Sequence, residues 1–237
     1  MSNLLVFLLG ILVSFPSGFS GDTESVVTKR VRGEMGSEVE VSLKMSGAGA
    51  AKPGVVLTLR NLETDVAVVG GVRFVIPEPE VWKKVSAGER VKPPRIRFRL
   101  ELDEDALLDS LQYLSAGMVV EGVELGRKSI AIRGSVSVGT GYPVPVGLEG
   151  RPKIRGDCLS LEVKRASVFD IRLPASMAGI FSGVAPMLLD LEEMDIDYFI
   201  AEEADEALET DFRPVIRKWE LKKGMLVVSG YYRAERQ

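Results

Sequence analysis

The sequence predicts an α+β fold: one long, strongly curved antiparallel β-sheet wrapping one or two apolar helices. Three observations predict it. From about residue 36 onward apolar and polar residues alternate with period two, the mark of half-buried strands. Apolar residues recur at helical spacing in only two places, after Leu102 and after Arg172. The 237 residues, 46% of them hydrophobic, are enough to bury one large core.

The chain opens with LLVFLLGILVSF at residues 4–15, an apolar run ended by Pro16, with small Gly18 and Ser20 placed for a cut after Ser20. Residues 1–20 therefore read as an export signal peptide. Left uncut, residues 4–15 read as an anchor, although the run is shorter than the ~20 residues of a helical span. Residues 21–237 follow as a single domain.

The strands come next. In SEVEVSLKM, Val39, Val41, Leu43 and Met45 share one face, and Glu40, Ser42 and Lys44 the other. VVLTLRNL and GVRFVI read as further strands. In RIRFRLEL, Ile96, Phe98, Leu100 and Leu102 oppose Arg95, Arg97, Arg99 and Glu101, and the same alternation runs through SIAIRGSVSV and LSLEV. The close, IRKWELKKGMLVVSGYYR, reads as a hairpin with Gly224 free to take positive φ at its turn. About eight to ten antiparallel strands result.

The first helix is DEDALLDSLQYL. Asp103 is its N-cap, acids fill the first turn, and Leu107, Leu108, Leu111 and Leu114 form one stripe. The second is expected in LPASMAGIFSGVAPMLLDLEE, which has no charge between Arg172 and Asp190. Pro174 suits a first turn, and Met177, Ile180, Phe181, Val184, Met187, Leu188 and Leu191 recur every three or four residues, with a kink expected at Pro186. Opposite that stripe stand Ser176, Ala178, Gly179, Ser182, Gly183 and Ala185, so neither face asks for water. Such a helix suits an apolar neighbour on more than one side: the sheet alone, as a plain core helix, or the sheet and an acyl chain lying against it. The prolines and the periodicity argue against a membrane span.

Composition narrows the chemistry. The chain has no His and one cysteine, Cys158, which excludes an internal disulfide and removes the usual general base and the commonest zinc ligand. Eleven Asp and Glu fall within residues 190–211, an acidic insertion in an otherwise basic chain of net charge −4. That segment lacks the ligand spacing and Gly of a calcium loop. Ser42 and Lys44 on one strand face are ordinary for a wet face, and GSVSVGTG lacks the Lys of a phosphate loop. Arg95, Arg97 and Arg99 suit either anionic headgroups or protection of a strand edge. Cys158 reads as a reactive thiol or as a strand end without a role. No catalytic, metal or cofactor site emerges, and the scattered bases do not read as a nucleic-acid surface.

The order of elements, from RFRLELDEDALLDSLQYL through VELGRKSIAIRGSVSV and LPASMAGIFSGVAPMLL to VIRKWELKKGMLVVSGYY, resembles the LmeA-like family of exported phospholipid-binding proteins and the wider tubular lipid-binding (TULIP) superfamily over about residues 30–232. The resemblance implies a long helix inside a curved sheet with phospholipid in the groove between. The acidic insertion departs from that pattern. The expectation is thus a non-catalytic, exported protein of the periplasm or cell envelope that binds or shuttles a phospholipid or other amphiphile, with the membrane surface as a further partner. Its wall residues would be Met177, Ile180, Phe181, Val184, Met187 and Leu188 together with Leu107, Leu108 and Leu111. The alternative is a structural or protein-interaction module of the envelope whose helices are core.

Overall fold

The computed structural model describes residues 25–32, 38–46, 54–64, 68–77, 95–115, 117–138, 141–178, 186–194, 210–222 and 224–236. Among them the expected antiparallel strands are present with two helices, but the strands divide between two open sheets instead of running through one. The chain first builds a meander from β1 (Ser25–Arg32), β2 (Glu38–Ser46), β3 (Gly54–Glu63), β4 (Val68–Pro77) and β5 (Ile96–Leu102). It leaves for the second sheet and returns as β12 (Thr210–Lys222) and β13 (Met225–Arg236), and β13 closes the open edge of β5. The seven-stranded order is β1-β2-β3-β4-β5-β13-β12. At the hairpin tip Lys222 pairs with Met225 and Gly224 takes φ +75°, as the sequence predicts.

The second sheet runs β10-β9-β8-β7-β6, from β6 (Val119–Leu125), β7 (Ile130–Val138), β8 (Tyr142–Arg155), β9 (Cys158–Val168) and the two-residue β10 (Ile171–Arg172). The far end of the β9 edge is covered by β11 (Met187–Asp190). One apolar cluster draws on both sheets: Leu59, Phe74, Leu100 and Val228 from the first, and Ile132, Leu148, Leu159 and Leu161 from the second. Tyr232 is buried there between Phe74 and Phe98, with ring centroids 6.3 and 5.4 Å away.

Helix α1 (Glu104–Leu114) joins the two sheets. The Asp103 carboxylate accepts from the Ala106 N–H at 2.9 Å, satisfying a donor that a helix start otherwise leaves unpaired. Glu104 reaches across to accept from the Leu125 N–H at 2.7 Å, and Gln112 donates to the Val120 carbonyl at 3.1 Å, so β6 is fastened along the helix. Ala106, Leu107 and Leu111 are buried in the common core, and Leu108 packs against it half-buried. Ser110, fully buried, spends its hydroxyl on the Leu188 carbonyl at 3.1 Å.

The second expected helix is replaced by a strand at its C-terminal end. Within the described residues it is one turn, α2 (Ala175–Ala178), and Met187 and Leu188 belong to strand β11, not to a helix. Pro186 has no N–H to continue a helix, and its carbonyl instead accepts from the Leu161 N–H at 3.1 Å. A short apolar run is compatible with either element, and here the unpaired edge of β9 decides. An irregularity between Met187 and Leu189 lets the consecutive Leu188 and Leu189 both reach the core. Residues 1–20, Ile180, Phe181 and Val184, and the acidic residues 195–209 lie outside the described residues.

Four described strand pairs carry a register shift. At three of them a glycine on the neighbouring strand, Gly134, Gly150 or Gly230, is needed for close approach. A Cβ on Gly230 would land on the Val215 carbonyl oxygen and the Phe98 ring, and one on Gly150 would land on the Glu162 carbonyl oxygen. Gly230→Ala should cost about 1–3 kcal/mol of stability through overpacking. Leu111→Ala should cost about 2–5 kcal/mol by opening a cavity between the sheets. Denaturant midpoints of the two variants against the parent check both.

Candidate functional site

With one face of each sheet buried, the chemistry of the molecule lies on the outward faces. On the seven-stranded sheet, cross-strand pairing lines up Thr58, Arg73, Arg99 and Ser229, and in the next outward row Val56, Val75, Arg97 and Tyr231. Arg95, Arg97 and Arg99 are exposed on one face, as the alternation predicts. The Tyr231 ring anchors this face: the Arg95 guanidinium sits 4.7 Å from its centroid and that of Arg217 5.1 Å. Arg99 is in turn paired with Glu101 at 3.0 Å.

The six-stranded sheet is ordered differently along its length. At one end pairing joins Val119 to Ser135 and Ser135 to Pro145, whose carbonyl accepts from the Phe169 N–H at 3.1 Å. Val119 is 66% exposed, Phe169 63%, Ile171 70% and Tyr142, at the start of β8, 76%. These are four of the large apolar side chains left exposed among the described residues, and they gather at one end of one sheet. The outward row next to that end joins Arg133, Gly147, Ser167 and Arg172 and carries two exposed guanidinium groups, whereas Ile171, in register with Val168 and Val146, extends from the core-side face beyond the covered part of the sheet.

Phe169 and Asp170 form the two-residue loop between β9 and β10, with Val168 paired to Ile171. Both have left-handed backbone, φ +50° and +61°. Such turns favour Asn and Gly, and a bulky Phe there is an outlier held against its own preference by about 1 kcal/mol. An aromatic is thus projected from a hairpin tip where a small polar residue would fold more easily.

Further along the same face a bulge reshapes the sheet. Glu149 pairs with Arg165 but Gly150 pairs with Val163, so Lys164 is the extra residue. Inward Val163 and Ala166 are therefore separated by two bases, Lys164 and Arg165, both exposed on one side. Together with Lys128, Ser129, Glu149, Gly150 and Arg151 they line an open depression of about 420 Å³. Arg165 Nη1 holds both Glu149 oxygens at 3.1 and 2.9 Å, and the Ser129 hydroxyl donates to the same carboxylate at 3.0 Å. The Arg165 contact, helped by Ser129, keeps the Glu149 carboxyl below the usual carboxylate range.

The residues singled out from sequence fall into separate places. Leu107, Leu111 and Leu188 are closed into the core, Leu108 is half-buried, and Met177 and Met187 are exposed. The described residues bring none of these together around an open groove. Sequence reading missed the bulge depression, although LEVKRASV carries its signal: the apolar phase slips by one between Val163 and Ala166 across the pair Lys164–Arg165. Among the described residues no group of His, Cys, Asp and Glu is arranged to hold a metal ion, and no helix is long and apolar enough to cross a membrane. Comparison of the chain with protein-family models, with curated proteins and with solved structures finds no match in any of the three.

Cys158 begins β9, opposite Asp190, with Sγ 3.3 Å from Asp157 Oδ1 and 3.4 Å from Asp190 Oδ2. Burial, reinforced by these two carboxylates, pushes the thiol pKa up to about 12. The reactive species is the thiolate, so the fold holds Cys158 in its inert protonated form at neutral pH. Alkylation by iodoacetamide at pH 8 should run at least about tenfold slower in the folded chain than in urea, and should accelerate only as pH approaches the raised value. Equal folded and unfolded rates would contradict the shielding.

Proposed function

We propose that this chain is a non-catalytic binder of anionic amphiphiles at the cell envelope, and that it meets them from outside through the apolar end of its six-stranded sheet. The observation that carries this reading is Phe169, exposed on a strained turn at the end of the sheet that also exposes Ile171 and Tyr142, with Arg133 and Arg172 in the adjacent outward row. A turn that accepts backbone strain to present an aromatic ring to solvent is costly unless the ring finds an apolar partner.

The charge arrangement names that partner. Apolar side chains at a tip and guanidinium groups in the adjacent row match a layer of acyl chains under anionic headgroups. Burying a side chain such as Phe169 or Ile171 contributes roughly 1.5–3 kcal/mol, and each Arg held near an anionic surface about 1 kcal/mol. These terms are sufficient for reversible attachment. In the tubular variant of the reading, a curved sheet and the oily segment at 178–185 would enclose an acyl chain. The closure of Leu107, Leu111 and Leu188 into the shared core supports the surface variant instead.

Cosedimentation with vesicles tests the proposal. Binding is expected to vesicles of phosphatidylglycerol and phosphatidylcholine, not to phosphatidylcholine alone, and to weaken as salt rises. Phe169→Asn should lower it several-fold while leaving the thermal midpoint unchanged or raised, because Asn suits left-handed backbone. A stable Phe169→Asn protein that binds vesicles like the parent would reject the proposal and favour the protein-interaction module.

A further inference from the structure

We infer that the depression at the β8–β9 bulge is a binding site for a phosphoester anion, either carried free in solution or presented as a lipid headgroup. The inference goes beyond the amphiphile reading, because neither Phe169 nor Arg133 lines this site and it stands even if the apolar end touches no membrane. Its lining sets four bases, Lys128, Arg151, Lys164 and Arg165, against one carboxylate, Glu149. A volume of about 420 Å³ falls in the range of small-molecule sites, roughly 300–1,000 Å³, and exceeds what one bare anion fills.

The donors are placed and not yet spent. Both contacts of Arg165 to Glu149 come from Nη1, leaving its Nε and Nη2 donors without a protein partner among the described residues. Glu149, itself held by Ser129, thereby acts as a positioning residue that fixes the guanidinium plane at the rim. Lys128 makes no side-chain hydrogen bond or ion pair among the described residues, and Arg151, opposite Glu162 in the register, acts on that carboxylate through its charge without a hydrogen bond. Lys164 is paired to Glu162 at 2.9 Å, with both side chains substantially exposed, a kind of pair that a competing dianion readily displaces.

The backbone supports the same conclusion. Regular alternation would send Lys164 and Arg165 to opposite faces, and only the bulge turns both outward over a single carboxylate. Gly150 makes the bulge possible, since any side chain there would meet the Glu162 carbonyl. Convergent bases around a concavity recognise a compact tetrahedral dianion, which several N–H groups can contact at once.

Isothermal titration of the full chain with glycerol 3-phosphate, inorganic phosphate and glycerol, beside flotation with phosphatidic acid vesicles, tests the site. Saturable binding of glycerol 3-phosphate, lowered at least tenfold in the double variant Lys128→Gln/Arg151→Gln but not in Lys153→Gln on the same strand, supports it with a soluble ligand. Binding to phosphatidic acid vesicles alone, lost in the same double variant, supports it with a headgroup ligand. No saturable binding in either arm, or equal binding by parent and double variant, overturns it. Phe169→Asn should leave glycerol 3-phosphate binding unchanged, so failure of the apolar end and failure of this site are read separately.

Discussion

Everything in this structure follows from two sheets that each carry one oily face and can dry it only against the other. Among the described residues α1 is the one helix long enough to bridge them, and it does so with a short apolar stripe and a buried serine. Burial of this kind is indifferent to detail as long as the alternation holds. The alternation must therefore hold almost everywhere, and where it slips, a bulge or a tight turn has to absorb the change.

Two of the described slips fall where the outward surface becomes distinctive. At Ile216/Lys218 the extra residue is Arg217, which is thereby free to lean on the Tyr231 ring. At Glu149/Gly150 the slip produces the paired bases of the depression. In both places a glycine on the neighbouring strand makes room for a displaced carbonyl. A regular sheet would have been simpler to fold, so the molecule gains surface chemistry at positions where it departs from regularity.

Much of the fold was legible because it rests on period two. Ile96, Phe98, Leu100 and Leu102 are all inward, the Asp103 cap and the Leu107/Leu111 stripe stand as expected, and the Gly224 hairpin closes the chain. What could not be read was how strands of similar pattern distribute between sheets, since alternation names a face and not a partner. The oily run before Asp190 misled for a related reason: its helical spacing was real, but Pro186 and the open edge of β9 made a strand the better use of Met187–Asp190. The depression was harder still. No single residue in it is unusual, and only the phase slip in LEVKRASV marks it.

These features place stability and exposed surface chemistry on different residues. The core takes the residues that first suggest a lipid wall, Leu107, Leu111 and Leu188, and spends them on holding the sheets together. The hairpin tip at Phe169, the exposed Ile171, the outward Arg133 and Arg172 and the bases of the depression lie outside that core. A left-handed Phe at a hairpin tip is the clearest sign of this division, because folding alone would prefer another residue there. The same division makes the surface readable by substitution: its side chains can be changed one at a time without disturbing the core between the sheets, so a change in binding reports on recognition rather than on loss of the fold.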